Sequence, residues 1–362
     1  MSATDGATYA PQPMPAPVVQ RGEFTIAAVS LDHGHIYGMC EGLIGAGAEL
    51  KWVYDPDPAK VEAFRERFPQ VQVARSEEEV LADDEVHLVA GAAVTSERAP
   101  LGIRVMNAGK DYFTDKAPLT TLDQLDAAKQ AVAATGRKYA VYYSERLHVE
   151  ASVFAGQLIE AGAIGKVVQV LGMGPHRLSV ESRPEWFFQR EKYGGILTDI
   201  GSHQIDQILH YTGSTDAEVV RSQIANYNNP EHPQLDDFGE AMLVTNTGAS
   251  GYFRCDWFTP DGLQMWGDGR MFILGTEGFI EQRKYMNIAT SDGPDHVFLA
   301  NGEGEQHFHV NGKVGYPFFG ELILDCLERT ENAMTQEHAF KAAELAVRAQ
   351  MQAADLVPRP GA

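Results

Sequence analysis

An acid and an imidazole stand four residues apart in the stretch Gly194-Gly195-Ile196-Leu197-Thr198-Asp199-Ile200-Gly201-Ser202-His203-Gln204-Ile205-Asp206. A helix from about Thr198 to Tyr211 puts Asp199 and His203 on one face, one turn apart. A carboxylate that orients an imidazole is an arrangement for moving a proton. The positive end of the helix dipole favours an ionised Asp199 and a neutral, proton-accepting His203. The glycine pair lets backbone approach a ligand closely, since no Cβ intervenes. Two other readings fit the same spacing. Asp199 caps the helix while His203 is a satisfied core histidine. Alternatively Asp199, His203, Asp206 and His210 form a metal-binding stripe. No metal site is assigned, because two of the four positions serve equally as polar contacts among Ile205, Ile208 and Leu209.

Positioning such groups needs a rigid frame, and the first half of the chain supplies one. Phe24–Val29, Glu49–Tyr54, Val86–Val89, Asp111–Thr114 and Lys138–Tyr143 read as strands. Between them, Ile36–Ala46, Pro58–Phe68, Glu97–Asn107 and the run to Thr135 read as helices, the last opened by the capping box Thr121-Leu122-Asp123-Gln124. This alternation specifies a doubly wound parallel sheet, helices on both faces. The turn after the first strand should carry Gly-x-Gly-x-x-Gly for a dinucleotide. Here Ser30, Asp32 and His35 occupy the three glycine places, leaving Gly34 and the helix amides to cradle phosphate and His33 and His35 to add polar contacts. Asp32 sets a like charge beside a pyrophosphate. Asp55 ends the second strand, where an acid accepts from the ribose hydroxyls. It also reads as a cap of the Pro58 helix. Pro56 follows instead of an arginine that would pair with a 2′-phosphate, which favours NAD over NADP, although Lys60 lies nearby.

The second half opens with a helix over Glu150–Ala161. After the catalytic helix, strand-like runs at Ala217–Asn226, Glu240–Thr245, Ser250–Cys255, Arg270–Leu274, Phe279–Glu281 and His296–Leu299 give an α+β domain with a large, mainly antiparallel open sheet. A final helix spans about Glu337–Leu356. We divide the chain into a flexible tail (1–22), a dinucleotide-binding domain (23–145) and a substrate-binding and oligomerisation domain (146–362). With 44% hydrophobic residues a sizeable core is available, and the net charge of −21 argues against nucleic acid or an anionic membrane as partner. Cys40, Cys255 and Cys326 form no Cys-x-x-Cys pair or disulfide framework, so a reducing cytoplasm is the simplest compartment.

Three motifs resemble the glucose–fructose oxidoreductase/inositol dehydrogenase (Gfo/Idh/MocA) family over about Glu23–Leu356: Asp115-Lys116-Ala117-Pro118, the Gly194-to-Asp206 block, and Gly275-Thr276-Glu277-Gly278. The resemblance implies a nicotinamide cofactor and a sugar or polyol substrate. It implies that Lys116 sits beside the nicotinamide and the reacting oxygen, that His203 accepts the proton, and that Asp199 positions the substrate or the imidazole. An ammonium there lowers the pKa of the hydroxyl and stabilises the alkoxide. The family's Thr-Pro-Asn-x-x-His segment is replaced, with Ala93, Val94, Thr95 and Arg98 in those places; Ala93, Thr95 and Arg98 are taken as cofactor contacts, Arg98 pairing with a phosphate or a substrate acid. Ala117 intrudes between Lys116 and Pro118.

For the substrate pocket, Arg146, His176 and Trp186 are the candidates, with Trp186 as a stacking platform. The function expected is NAD-dependent oxidation of a secondary hydroxyl of a sugar, inositol or related polyol by a homo-oligomer, a dimer or tetramer. Two alternatives stand beside it: an NAD-retaining glycoside hydrolase of the same family, and a non-catalytic ligand-binding protein with a degenerate nucleotide loop.

Overall fold

The computed structural model describes Ala10 and residues 14–290 and 293–357. Its first half is β1 (Thr25–Val29), α1 (His35–Gly45), β2 (Glu49–Tyr54), α2 (Pro58–Arg67), β3 (Gln72–Val73), α3 (Glu77–Leu81), β4 (Val86–Gly91), α4 (Thr95–Asn107), β5 (Asp111–Asp115), α5 (Leu122–Thr135) and β6 (Tyr139–Tyr142). The six strands pair in the order β3-β2-β1-β4-β5-β6, and all pairs are parallel. The order reverses between β1 and β4, the switch point where α/β sheets hold their ligands. β1 and β5 are buried along their whole length, as strands covered on both faces must be. The expected capping is present at α5, where Thr121 Oγ1 accepts from Gln124 N–H at 3.2 Å.

Then follow α6 (Ser144–Leu147), α7 (Glu150–Glu160), β7 (Val167–Pro175), α8 (Arg190–Tyr193), α9 (Ile196–Asp199), α10 (Gly201–Thr212), β8 (Ala217–Ala225), β9 (Phe238–Thr245), β10 (Ser250–Asp256), β11 (Arg270–Gly275), β12 (Gly278–Arg283), β13 (His296–Asn301), β14 (Gly304–His309), α11 (Pro317–Glu328), α12 (Gln336–Gln352) and β15 (Ala354–Asp355). Nine strands form one sheet, β14-β13-β12-β11-β7-β10-β9-β8-β15, antiparallel except for β7–β10 and β8–β15. Its inner face, with Val170, Phe253, Ile273 and Ile280 fully buried, faces the helices. On its outer face Met242, Tyr252, Leu171 and Phe272 lie in register across four strands and stay exposed.

α11 and α12 return to the first sheet. Phe113 stacks near Phe318 (5.8 Å), Tyr139 N–H donates to Gln336 Oε1 (2.7 Å), and Tyr143 OH donates to Ala339 O (2.9 Å). The described part of the N-terminal segment lies on the body: Val18 N–H donates to Ala46 O at 3.0 Å and Val19 is buried. The remainder of the expected tail falls outside the described residues.

Candidate active site

The Gly194-to-Asp206 block begins where two left-handed glycines, Gly194 (φ +88°) and Gly195 (φ +92°), turn the chain into α9. Their purpose differs from the one expected. A Cβ at Gly195 would stand 2.2 Å from the Gln350 side chain, so this glycine accommodates α12, while one at Gly194 would stand 3.0 Å from Thr120 and Thr198. Gln350 Oε1 then accepts from Leu197 N–H (2.9 Å), and buried Asp236 accepts from Ile196 N–H (3.2 Å). These two side chains satisfy amides at the helix start, work expected of a cap. Asp199 is therefore no cap. It lies at the end of α9, nine-tenths buried.

Asp199 Oδ1 is bonded to Lys116 Nζ, which comes from the carboxyl end of β5 in the other domain. Burial alone would raise the Asp199 carboxyl, but the Lys116 ammonium overrides it and holds the group below its ordinary value. His203 lies on the next turn and makes no bond to Asp199. α9 ends at Asp199, and just beyond it His203 N–H donates to Ile200 O (3.1 Å). The buried His203 ring packs near Tyr143 (6.4 Å), and its Nδ1 has no hydrogen-bond partner among the described residues, so it is not a satisfied core histidine. Burial lowers it to about 3, opposed by Glu145 and reinforced by the Lys116 charge, leaving a neutral ring within electrostatic range of that ammonium. Asp206 is taken up by Arg146 (2.7 and 2.8 Å) and His338 (2.8 Å), which dissolves the metal stripe reading and keeps Arg146 out of the cleft.

The cleft around Lys116 and Asp199 is lined by His33, His35, Thr95, Arg98, His176, Trp186, Arg183 and Trp257 among others. Its central space is about 60 Å³, room for a few waters. His176 is held by Gly174 O (3.2 Å) and pushed down to about 4 by burial. Arg183 and Trp257 were not singled out by sequence. Trp257 follows directly on the end of β10, a position that a strand-end search would find; no local signal marks Arg183.

The nucleotide loop compensates for its missing glycines. Ser30 takes the left-handed conformation (φ +61°) that a glycine adopts without strain. Asp55 is pinned as an anchor, accepting from Leu31 N–H (2.7 Å) and Asp57 N–H (2.9 Å), while Asp57 is the cap of α2. Lys60 pairs with Asp32 (2.6 Å) and stands 3.9 Å from Asp55, so the charge of Asp32 is offset. No side chain caps α1 and no acid sits in its first turn, leaving a positive helix end toward the loop. His33 and His35 both bond Asp115 (2.8 and 2.7 Å), and Asp115 is held well below the carboxylate range despite burial by His35, Arg98 and His33. This is the cluster of metal-ligating type found among the described residues.

Arg98 has a role not foreseen. It is buried, and its guanidinium donates to Ala93 O (2.8 Å), Lys116 O, Ala117 O (3.0 Å) and Asp115 Oδ2 (3.0 Å). It thereby fixes the segment that carries Lys116, in which the Lys116–Ala117 peptide is cis. These bonds occupy three of its nitrogens before any phosphate arrives.

A parallel nucleotide sheet joined to a large open sheet, with a lysine and an acid meeting between them, defines a two-domain NAD-binding oxidoreductase. The models described as "Oxidoreductase family, NAD-binding Rossmann fold" and "GFO/IDH/MocA C-terminal domain" match residues 33–143 and 153–281. The chain belongs to the Gfo/Idh/MocA oxidoreductase family. It is 28% identical over 281 residues to scyllo-inositol 2-dehydrogenase (NAD(+)) of Bacillus subtilis (strain 168), covering 76% of this chain and 79% of that one. It is 25% identical to D-xylose dehydrogenase of Paenarthrobacter nicotinovorans, covering 56% of this chain and 52% of that one. A crystal structure described as that of a "putative oxidoreductase from Erwinia carotovora atroseptica SCRI1043" superposes with TM-score 0.90 at 52% identity, covering 92% of this chain and 100% of that one. No described helix is long and apolar enough to cross a membrane.

Proposed function

We propose that the protein oxidises a secondary hydroxyl of a sugar, inositol or related polyol, using NAD in preference to NADP, with Lys116 and His203 handling the proton. The observation that carries this reading is the Lys116–Asp199 pair at the carboxyl end of β5, inside a cleft walled by Trp186 and Trp257. The residues fit the cofactor: an uncapped α1 start, a neutralised Asp32 and an anchored Asp55 suit a pyrophosphate and a ribose diol. When bound, the nicotinamide ring supplies the hydride acceptor. Lys116 is engaged by Asp199, so the substrate hydroxyl enters by replacing Asp199 as its partner. Lys116 Nζ then favours the alkoxide, and Asp199 accepts from a neighbouring hydroxyl. His203 is the proton acceptor this reading assigns; its ring is neutral and buried, and it is not among the residues that line the cleft. His33, Gly34, His35, Ala93 and Thr95 border the cofactor, Ser30 shapes its loop, and Arg98 positions Lys116. His176 and Trp186 contact the substrate.

The relatives' names support the substrate class: one acts on scyllo-inositol, another on D-xylose. An NADP(+)-dependent scyllo-inositol 2-dehydrogenase is also a relative, at 27% identity, so cofactor preference rests on Asp55 and on Lys60 being engaged by Asp32. The exposed row Met242, Tyr252, Leu171 and Phe272 is the surface through which copies associate. Cys40, Cys255 and Cys326 are free thiols, consistent with a reducing cytoplasm. The test is a screen of sugars and polyols with each cofactor. Accumulation of NADH supports the reading; release of an aglycone without NADH points to glycoside cleavage, and no NAD binding at millimolar concentration removes both.

A further inference from the structure

Ion pairing within the cleft is complete except at one residue. Lys116 is matched by Asp199 and Arg98 by Asp115, which also bonds His33 and His35. Arg183 is matched by no carboxylate among the described residues. Its guanidinium lies 4.6 Å from the Phe187 ring centre and 4.9 Å from that of Trp257, a cation held between aromatic faces. Nε donates to Leu178 O (2.9 Å) and Nη2 to Arg177 O (3.4 Å), and Nη1 has no acceptor among the described residues. The carbonyls and rings fix the orientation of the group but leave its charge unmatched. Burial lowers the Arg183 pKa, and the one acid that opposes this, Asp199, is already paired with Lys116. A half-buried cation with no acid partner among the described residues, fixed by carbonyls and rings in the wall of a ligand cleft, suits an anion that arrives with the ligand.

Building on the dehydrogenase reading above, we infer that the substrate is a polyhydroxy compound bearing an oxyanion, a carboxylate or a phosphate, which Arg183 binds while a hydroxyl of the same molecule meets Lys116. Both groups line one cleft, so a single small molecule spans them. The indole of Trp257 borders the same guanidinium, so occupancy alters tryptophan emission.

The test uses the full-length protein and its tryptophan fluorescence, which needs no turnover. D-gluconate, D-glucuronate and glucose 6-phosphate are titrated against D-glucose and myo-inositol, with inorganic phosphate as a further probe. At least one sugar acid or sugar phosphate is expected to bind about tenfold or more tighter than the neutral compounds, the scale of a charge-assisted hydrogen bond. The carboxylate and phosphate arms distinguish the two sources of the anion. R183Q should remove most of that discrimination, and R183K should keep part of it. Equal affinity for charged and neutral compounds, or discrimination unchanged in R183Q, overturns the inference. Turnover of the same panel is measured separately: neutral polyols oxidised with no preference for the acids sinks this inference alone, whereas sugar-acid binding without NADH formation sinks the dehydrogenase reading alone.

Discussion

Lys116 and Asp199, separated by 83 positions in the chain, join their side chains across the boundary between the two sheets. Both are almost buried, at 7% and 12% side-chain exposure. Removing one member of such a pair leaves the other charge unmatched, at a cost of about 3–5 kcal/mol in a fully buried setting and less at this cleft. K116M should lower kcat/KM by about 10²–10³-fold or more. D199N should do likewise with a larger rise in KM. The double variant K116M/D199L should recover much of the lost thermal stability while remaining inactive. Melting curves beside turnover check this; a K116M enzyme at wild-type rate would remove Lys116 from the mechanism.

The buried histidines set an acid limit. Burial lowers His203 to about 3 and His176 and His148 to about 4. Below about 6.5 the unfolded chain takes up protons there that the folded chain refuses, so stability falls as pH drops from 6.5 toward 4. Glu145 runs the other way in origin: despite burial, Lys284 holds it at about 2, and its contribution is lost below the ordinary glutamate range. Urea midpoints measured against pH should therefore decline in two stages, and H203N should flatten the first. An unchanged slope in H203N would mean that His203 is charged in the fold.

Arg98 is a clamp on the strand end that presents Lys116. R98K cannot bond Ala93 O, Ala117 O and Asp115 together. It should lower kcat by about ten-fold or more with little change in NAD affinity, and reduce stability by about 1–3 kcal/mol. If NAD affinity falls while kcat holds, Arg98 acts on the cofactor instead.

Cofactor choice should depend on Asp55. Calorimetry on the wild type should find NAD bound more tightly than NADP. D55A should weaken NAD by about tenfold and narrow the difference, since it removes both a ribose acceptor and the anchor of Leu31. Tighter binding of NADP by the wild type would assign Lys60 to a 2′-phosphate.

The outer face of the nine-stranded sheet should determine assembly. Leu171 and Phe272 are paired neighbours on β7 and β11 and are 37% and 39% exposed. L171E/F272E should convert an oligomer to a monomer in light scattering while leaving the far-ultraviolet spectrum unchanged. A monomeric wild type would refute the proposal.

The alternating half of the fold was legible because strands covered on both faces are apolar runs, and the caps at Thr121 and Asp57 obey local chemistry. β7 has no counterpart in the sequence reading; Gly172 and Gly174 weaken its strand signal. A Cβ at Gly172 would lie 2.3 Å from Gln204 Oε1, so the glycine is there to seat α10 on the sheet. α11 was missed because its residues are apolar on several faces, with Phe319 filling the space a Cβ on Gly42 would need. The motifs single out Lys116, Asp199 and His203, and the structure joins the first two. The partner each would take was not legible, since the clamp by Arg98 and the engagement of Arg146 by Asp206 depend on chain segments far apart in sequence. Arg183 is one arginine in an irregular stretch, and only its lack of an acid partner in space distinguishes it.

The return of α11 and α12 beneath the nucleotide sheet bears on protein engineering. A cassette cut at residue 145 would leave the faces of Phe113 and Tyr139 bare, because their covers come from Phe318 and Phe340. A chimera that borrows the front lobe from a relative must carry the closing helices with it, so recombination will succeed with the chain's two ends moved together and the open sheet treated as the insert.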